Sequence, residues 1–410
     1  MKKVLALVVS LCMLFCTTAM AEKVSVKLVT WGGGEAYQKS VEEFNARQDE
    51  IEFIIEVVSG IEEYLSARMA AGDMPEMYNI TPYAGVYDAA AAGRLADLTG
   101  IEAAANLLPS TLNPVSVDGK VYAMPYQQQI IGVFYNPVLF EQAGIESVPA
   151  TYSEMVEVCE KLEAAGIVPF AATYGSSWTL SHVGSCLFYS ALRGADREWV
   201  KGIAEGEAYA DTANVEEVFR FLDLMKKYSG ENCMDATSET GFNAFAAGEA
   251  AMLVQGDWSL ETVNAVDPDM NPGLFAVPVS DDAQYNKLAV DVSVAIAVTE
   301  GLSEEKFAAV QEVLKYMYDT SDPTGHNSIC FTFMGAGVPS VAYSSEEILA
   351  FNYYTDYLSY AESGNVSPWI YQQLPSGTDL GSALQGYMAG LMTAEETLAM
   401  LDEANASLAF

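Results

Sequence analysis

The stretch VSVKLVTWGGGEAY at residues 24–37 sets the fold class, because an alternating strand pattern leads through a glycine-rich turn into a helical pattern. The alternation continues over four further segments: a strand at 51–58, a helix at 61–71, a strand at 77–81 and a helix at 84–92. Strands that alternate with helices in this way are typical of a parallel sheet covered by helices. The sequence therefore predicts an α/β fold.

Two loops of this segment are candidate ligand loops. In parallel sheets of this kind, ligands bind beyond the carboxyl ends of the strands. The first predicted strand ends in the loop at 31–35, and the third ends in the loop at 81–83. Position in the chain alone thus nominates both loops.

The rest of the chain continues the same pattern. Thr151 with Glu154, and Thr393 with Glu396, form the T-x-x-E pattern of a capping box, which predicts helices that run to 165 and over 394–404. Further helical patterns lie at 215–228, 303–318 and 346–360, and strand patterns lie at 273–277 and 288–298. No repeat, heptad run or long linker marks a simple domain boundary, as expected when lobes are joined by several crossings.

Composition excludes several classes of protein. The 410 residues are 51% hydrophobic and include 31 Gly and 15 Pro, which fits an ordered globular chain. The length suggests two or three domains or one two-lobed body. With 19 Lys+Arg against 56 Asp+Glu, the formal charge is −37. Such a charge repels phosphate backbones and anionic lipids, so a neutral or cationic partner is expected and nucleic acid is not.

The first 21 residues are typical of an export signal. Lys2 and Lys3 precede an apolar stretch at 4–15, and a small-x-small cleavage pattern follows at 19–21. No later segment reaches the roughly 18 apolar residues that a membrane span needs. We therefore expect an exported protein.

The cysteines do not form a metal-binding or lipid-attachment pattern. Cys12 follows Leu11 and Cys16 follows Phe15, where lipid attachment needs a small residue, so a lipid anchor is not expected although it stays open. Four cysteines follow the export signal: Cys159, Cys186, Cys233 and Cys330. Their spacing leaves three pairings, or none, open. There is no C-x-x-C pair, and the two histidines, His182 and His326, lie far apart, so no metal site is expected.

The familiar catalytic motifs are absent. Residues 175–179 lack the closing glycine of G-x-S-x-G, and the glycines at 32–34 lack the spacing of a dinucleotide-binding loop. Residues 267–270 resemble the start of a calcium loop, but Pro272 and Pro278 occupy its sixth and twelfth positions. No catalytic residue is nominated. A glycosidase needs only two carboxylates, however, so that class stays open.

Tryptophan and tyrosine supply the best candidate ligand contacts. Aromatic faces stack on sugar rings, and amides or carboxylates bind sugar hydroxyls. Trp199 lies in a helical pattern and is expected to pack internally. Four other tryptophans lie beside Gly, Ser or Pro at loops or element ends, where ligand contact and core packing are both open: Trp31, Trp178, Trp258 and Trp369. The segment YQQQ at 126–129 adds amides beside an aromatic ring.

Several segments carry a resemblance to a known family. They are GKVYAMPY at 119–126, VFYNP at 133–137, LFEQAGI at 139–145, PATY at 149–152, FAAGEAAM at 245–252 with GDW at 256–258, and GVPS at 337–340. In this order and spacing, the chain resembles the extracellular solute-binding proteins of family 1, the sugar-binding components of ABC importers. The resemblance spans nearly the whole chain after the export signal.

The resemblance implies two α/β lobes joined by three crossings, each lobe a mostly parallel sheet flanked by helices, with the ligand in the cleft between them. It places residues 22–132 and 287–319 in the first lobe, and residues 133–286 and 320–410 in the second. The implied protein is a monomeric receptor without a cofactor that carries a mono- or oligosaccharide to the permease subunits of an ABC transporter. It is expected outside the cytoplasm, extracellular or periplasmic, associated with the cell envelope.

The resemblance also implies a set of ligand-binding residues. They are Trp31 and Glu35 after the first strand, Tyr83 after the third, Gln127 and Gln129 in the hinge, Trp178, Asp257, Trp258 and Trp369 in the second lobe, and Asp291 in the strand that returns to the first lobe. On a strand, Gln127 and Gln129 would face the same side. The alternatives are a secreted glycoside hydrolase, or a binding protein for glycerol phosphate, a peptide or a polyamine. Many Gram-positive members carry a lipid-attachment cysteine, which this chain lacks in a suitable context.

Overall fold

The computed structural model describes residues 23–31, 35–107, 109–319, 352–374 and 379–408. Within these ranges, the side chains of a few residues, Glu35 and Gln127 among them, lie outside the description. The predicted export signal, the GVPS segment at 337–340, His326 and Cys330 also lie outside it.

Strands and helices alternate over residues 24–91 as the sequence predicts. The strands are β1 (Val24–Thr30), β2 (Ile51–Val57), β3 (Met77–Ile80), β4 (Ser116–Val117), β5 (Lys120–Val121), β6 (Ala123–Tyr135), β7 (Val168–Phe170), β8 (Ala250–Gly256), β9 (Gly273–Phe275), β10 (Leu288–Val298) and β11 (Val366–Ser367). The helices are α1 (Glu35–Arg47), α2 (Ile61–Ala71), α3 (Ala84–Ala91), α4 (Pro137–Gln142), α5 (Tyr152–Ala164), α6 (Ser177–Ala191), α7 (Asp196–Ala204), α8 (Val215–Lys227), α9 (Ser238–Ala246), α10 (Leu260–Val266), α11 (Glu304–Met317), α12 (Asn352–Ser363), α13 (Leu380–Met388) and α14 (Ala394–Leu408).

The two capping boxes are present at the predicted positions. Thr151 Oγ1 accepts from the Glu154 backbone N–H at 3.3 Å, and the Glu154 carboxylate accepts from the Thr151 N–H at 3.1 Å. Thr393 and Glu396 make the same reciprocal pair at 3.2 and 2.8 Å. The helix that Thr393 caps, α14, extends four residues beyond the predicted end at 404. The extension is held by tertiary contact, because the buried Asn405 donates to the Ile203 carbonyl at 2.6 Å.

Two long antiparallel strands, β6 and β10, join the two halves of the molecule. The main sheet has the order β2-β1-β3-β10-β6-β8-β7, with β9 added beside β6 and β11 beside β10. The later part of β10 pairs with β3 of the first lobe, whereas the later part of β6 pairs with β8 and β9 of the second. Both lobes therefore share these strands. The exact domain boundaries stay a prediction, and Leu288 and Ala289 pair with β11 on the second-lobe side.

Strand direction brings the ligand loops of both lobes to the same place. In the first lobe, β1 is parallel to β2 and β3, and in the second lobe β7 is parallel to β8. The carboxyl end of β3, at Ile80, lies opposite Ala295 of β10. The carboxyl end of β8, at Gly256, lies opposite Ile131 of β6. Both carboxyl ends thus point toward the middle of β6 and β10. The loops that the sequence nominates converge there, as the rule for parallel sheets requires.

Helices cover both faces of the shared sheet. In the first lobe, α1 and α11 contribute to one buried cluster, and α2 and α3 contribute to another. In the second lobe, α5, α6, α8 and α13 bury a large cluster on one face, whereas α9, α10 and α12 cover the other. Cys159, Cys186 and Cys233 are buried free thiols. None of the described helices combines the length and the apolar character needed to cross a bilayer.

Candidate ligand site at the lobe junction

A cavity of about 1030 Å³ opens at the middle of the shared strands. Tyr83 and Tyr87 line it from the first lobe, Asp291 from β10, and Arg197 and Tyr357 from the second lobe. Its volume is at the upper end of the range for small-molecule pockets. Two of the predicted site residues, Tyr83 and Asp291, are therefore brought together here although 208 positions separate them in the chain.

Beside this cavity lies an aromatic cluster formed by Trp178, His182, Trp258, Trp369 and Tyr371. His182 is at its centre, with ring centroids 4.7 Å from Trp258, 5.0 Å from Tyr371, 5.4 Å from Trp178 and 5.7 Å from Trp369. Trp178 and His182 are one turn apart on α6, whereas Trp258 follows β8 and Trp369 follows β11. Three predicted tryptophans thus meet at the end of the second lobe that faces the junction.

The predicted tryptophans differ in how much surface they offer. Trp178 is 42% exposed and Trp31 is 41% exposed, so each has area available to a ligand. Trp258 is half-buried, and Trp369 is only 1% exposed. Of the two roles that the sequence leaves open for Trp369, this arrangement shows core packing, because the ring packs against Trp258, His182 and Tyr371. Trp31 follows β1 and makes no ring contact with the aromatic cluster among the described residues.

Gly256 sets the position of Trp258. A Cβ atom at residue 256 would overlap the indole ring of Trp258, which lies directly over the backbone of Gly256. The ring also packs against buried clusters on both faces of the second lobe. The GDW sequence at 256–258 therefore has a packing reason as well as a family resemblance.

We expect Gly256→Ala to displace the Trp258 ring and to destabilise the protein by about 1–3 kcal/mol, the usual cost of overpacking. Thermal unfolding and tryptophan fluorescence would measure both effects. Gly85→Ala is the control, because a Cβ at that position of α3 comes no closer than 3.3 Å, to Thr81 Cβ. Equal stability of the two variants would contradict the assigned packing.

Asp257, which the sequence nominates as a ligand contact, is enclosed by the protein. Its side chain is 0% exposed, and neither carboxyl oxygen makes a hydrogen bond of standard geometry in the described part of the chain. Burial raises the pKa of Asp257 well above its usual range, and the nearby backbone amides of Ile130 and Trp258 only partly oppose that shift. Burial therefore favours the protonated form of this carboxyl group.

His182 and Tyr371 are members of the aromatic cluster that the sequence did not nominate. The Nε2 atom of His182 lies 3.1 Å from the Tyr371 hydroxyl, and burial lowers the pKa of His182 to about 3, so the ring is neutral at physiological pH. Sequence reasoning had one usable indication, since His182 lies one helical turn after Trp178.

Several polar atoms of the aromatic cluster are buried without a hydrogen-bond partner in the described residues. They are Nδ1 of His182 and the indole nitrogens of Trp258 and Trp369. Buried polar groups are normally satisfied by protein, water or ligand. These polar atoms are enclosed, so the part of the aromatic cluster that a ligand can reach is mainly ring surface, above all that of Trp178.

Asp291 joins the cavity to the aromatic cluster. Its Oδ2 atom accepts from the Tyr83 hydroxyl and from the Trp369 backbone N–H, both at 2.9 Å, and its Oδ1 atom accepts from the Val292 N–H at 2.8 Å. Burial raises the pKa of Asp291 to about 6, although these three donors favour the ionised form. The neighbouring Gln129 pairs with Asp291 across β6 and β10 and is half-buried.

Two further predicted site residues, Glu35 and Gln127, lie in described elements. Glu35 begins α1 and Gln127 lies in β6, but their side chains are outside the described part of the molecule. Within the ranges that are described, no three His, Cys, Asp or Glu side chains are grouped so that they could hold a metal ion. Trp199 packs internally as predicted, stacked 5.5 Å from Phe188, with its indole N–H donating to Thr212 at 2.9 Å.

Solved structures share this architecture. A chitin oligosaccharide binding protein superposes with a TM-score of 0.77 at 22% identity, covering 94% of this chain and 99% of that one. The solute-binding protein RafE in complex with raffinose superposes with a TM-score of 0.76 at 19% identity, covering 94% and 98%. At these identities, the likeness shows the two-lobed α/β fold.

Sequence comparison places the chain in a family. A multiple sugar-binding protein of Streptococcus mutans is 26% identical over 296 residues, which is 70% of each chain. A maltotriose-binding protein of Pyrococcus abyssi is 23% identical over 277 residues, 65% of this chain and 57% of that protein. The family described as bacterial extracellular solute-binding protein, a family of binding proteins rather than enzymes, matches residues 39–324. With both its fold and most of its length matched, the chain belongs to the bacterial extracellular solute-binding proteins.

Proposed function

We propose that the protein is an extracytoplasmic receptor that captures a mono- or oligosaccharide between its lobes and delivers it to the permease of an ABC importer. The observation that carries this proposal is the aromatic cluster beside the junction cavity, in which Trp178 is 42% exposed. Ring faces can stack on a sugar, and polar groups that line the cavity, such as the Tyr87 hydroxyl and the Arg197 guanidinium, can pair with its hydroxyl groups.

The relatives support the same class of ligand. Their names describe binding of multiple sugars and of maltotriose, and the similar folds include chitin oligosaccharide and raffinose binders. The cavity beside the aromatic cluster, at about 1030 Å³, has room for an oligosaccharide. We propose the site residues Trp31, Tyr83, Gln129, Trp178 and Trp258 as ligand contacts.

The proposed receptor is exported, and its lobes comprise residues 22–132 with 287–319 and residues 133–286 with 320–410. Binding favours the closed arrangement, because only there can both lobes contact one ligand. The receptor needs no chemistry of its own. A closed, loaded form then differs in shape from the empty form, which gives a permease a surface to distinguish.

A thermal-shift screen tests the proposal. The chain from residue 22 onward would be mixed with glucose, maltotriose, raffinose and chitin oligosaccharides, and with spermidine, glycerol 3-phosphate and a tripeptide. A ligand at 100 times its Kd stabilises a protein by about 2.7 kcal/mol, which for a chain of this length moves the Tm by about 3 °C. Chromatography of each mixture would detect hydrolysis.

We expect a shift with at least one saccharide, which is recovered intact. A cleaved saccharide would show a glycoside hydrolase instead. A shift confined to spermidine, glycerol 3-phosphate or the peptide would contradict the sugar ligand but not the receptor. No shift with any compound would contradict both the ligand class and the proposed contacts.

A further inference from the structure

We propose that Asp291 is a positioning residue that ties Tyr83 of the first lobe to the Trp369 segment of the second and so holds the two sides of the site in register for a ligand. The proposal rests on the proposed function, since it concerns the same junction. It assigns Asp291 a different role from the direct ligand contact that the family resemblance implies.

The hydrogen bonds of Asp291 show that its carboxylate is occupied by the protein. One oxygen, Oδ2, is shared by the Tyr83 hydroxyl and the Trp369 N–H at 2.9 Å each, and Oδ1 accepts from Val292 at 2.8 Å. Asp291 is only 6% exposed. A carboxylate that accepts three protein donors in a buried place has little capacity left for a sugar hydroxyl, so it acts through the groups that it holds.

The two donors on Oδ2 come from opposite lobes. Tyr83 follows β3, and Trp369 follows β11. Asp291 itself lies in the middle of β10, opposite Gln129 of β6, where the shared strands pass from one lobe to the other. A rotation of the lobes about these strands would change the separation of Tyr83 and Trp369. The two hydrogen bonds to Oδ2 can therefore form together only in a limited range of lobe arrangements.

The backbone around Tyr83 aims its side chain at this carboxylate. Tyr83 has φ 57° and ψ −113°, a combination that non-glycine residues rarely adopt. The conformation is held from both sides, because the Tyr83 N–H donates to the Pro114 carbonyl and the Tyr83 carbonyl accepts from the Tyr87 N–H, each at 2.7 Å. Such a strained residue persists only where its surroundings over-determine it, as they do here.

The charge state of Asp291 strengthens the tie. Burial raises the pKa of Asp291 to about 6, so the carboxyl group is mostly ionised at neutral pH. Hydrogen bonds to an ionised acceptor are roughly twice as strong as those between neutral groups. The groups that act electrostatically around the tie are tyrosines and one cation: Tyr87 and Tyr371 near Asp291, and Arg197 near Tyr83.

Tyr83→Phe removes only the hydroxyl that reaches Asp291 and is the primary test variant. The matched control is Tyr64→Phe, because Tyr64 donates to the Glu56 carboxylate at 3.1 Å entirely within the first lobe. Small-angle X-ray scattering of the unliganded proteins would report the lobe arrangement. Titration with maltotriose and raffinose would report affinity.

We expect Tyr83→Phe to increase the radius of gyration of the unliganded protein and to weaken sugar binding by about 10-fold, because without the tie only about one unliganded molecule in ten would hold both sides of the site in register. Tyr64→Phe should change neither. Asp291→Asn should resemble Tyr83→Phe, and the double variant should bind no more weakly than Asp291→Asn alone, because both substitutions break one tie.

Unchanged scattering in Tyr83→Phe, tighter sugar binding, or additive losses in the double variant would overturn the proposal. The scattering needs no ligand, so it tests the tie even if neither sugar binds. Absence of sugar binding by the wild-type protein, with the scattering change present, would count against the proposed function alone. If Asp291→Asn does not fold, scattering and affinity of Tyr83→Phe still decide the outcome.

Discussion

Asp257→Asn is expected to make the protein more stable at neutral pH, with a gain that disappears in acid. The carboxyl group of Asp257 is fully buried, and its pKa in the folded protein is raised well above the usual value. In the unfolded chain, an aspartate titrates near pH 3.9. Between these two pKa values the folded protein keeps a proton that the unfolded chain releases.

The sign of the pH dependence follows from proton linkage. Below about pH 4, Asp257 is protonated in both the folded and the unfolded state, so its raised pKa does not change the free energy of unfolding. Above that pH, the free energy of unfolding falls by about 1.4 kcal/mol per pH unit until the folded pKa is reached. Asparagine does not titrate, so the variant lacks this fall. The difference in the free energy of unfolding between the two proteins should therefore grow as the pH rises from about 4 toward the raised pKa of Asp257 in the folded protein.

Urea unfolding of the wild type and Asp257→Asn between pH 3.5 and 8 measures the effect. Asp49→Asn is the control, because the Asp49 side chain is 94% exposed. We expect the wild-type and Asp49→Asn curves to have the same pH dependence. If Asp257→Asn were less stable at every pH with an unchanged slope, Asp257 would instead be an ionised, partnered group.

Trp178→Ala is expected to weaken saccharide binding by at least about 30-fold and to destabilise the fold less than the loss of a fully buried tryptophan would. Trp178 is 42% exposed, although its ring also contacts His182, Phe242 and Trp258. A ligand that stacks on it would lose about 2 kcal/mol or more, the usual loss at a central aromatic contact. Calorimetric titration with the sugar that gives the largest thermal shift measures this loss.

Trp199→Phe provides the contrasting control for Trp178. Trp199 is packed on Phe188 and hydrogen-bonded to Thr212, away from the aromatic cluster. Its substitution should lower stability by about 1 kcal/mol through the lost hydrogen bond and leave affinity unchanged. The ligand role of Trp178 would be wrong if Trp178→Ala bound sugar as tightly as the wild type. Trp258 is less suitable, because its ring contacts both second-lobe clusters and its loss would also destabilise the fold.

The candidate site could be predicted only in part. Its tryptophans were nominated because they stand beside Gly, Ser or Pro and match the positions of a family pattern, and Trp178 and Trp258 do meet at the junction. His182 and Tyr371 were missed, since neither belongs to a motif. Asp257 was nominated as a ligand contact, but the sequence shows a carboxyl group and not its complete burial.

The order of the elements and the class of the fold follow from local patterns in the sequence. Strand and helix periods are local properties, so β1 through α3 and both capping boxes are visible in short windows of the chain. The last four residues of α14 do not follow from local pattern, because Asn405 is held by a hydrogen bond to the Ile203 carbonyl, 202 positions away.

Which groups act together depends on contacts between residues that are distant in the chain. Residues 83 and 369 converge on the Asp291 carboxylate because β10 pairs with β3 of the first lobe and with β11 of the second, and strand register is a long-range property. The same holds for charge, because a pKa depends on desolvation by residues that are distant in the chain. Local sequence pattern therefore accounts for the helices and strands, whereas packing between distant residues accounts for the arrangement of the ligand site.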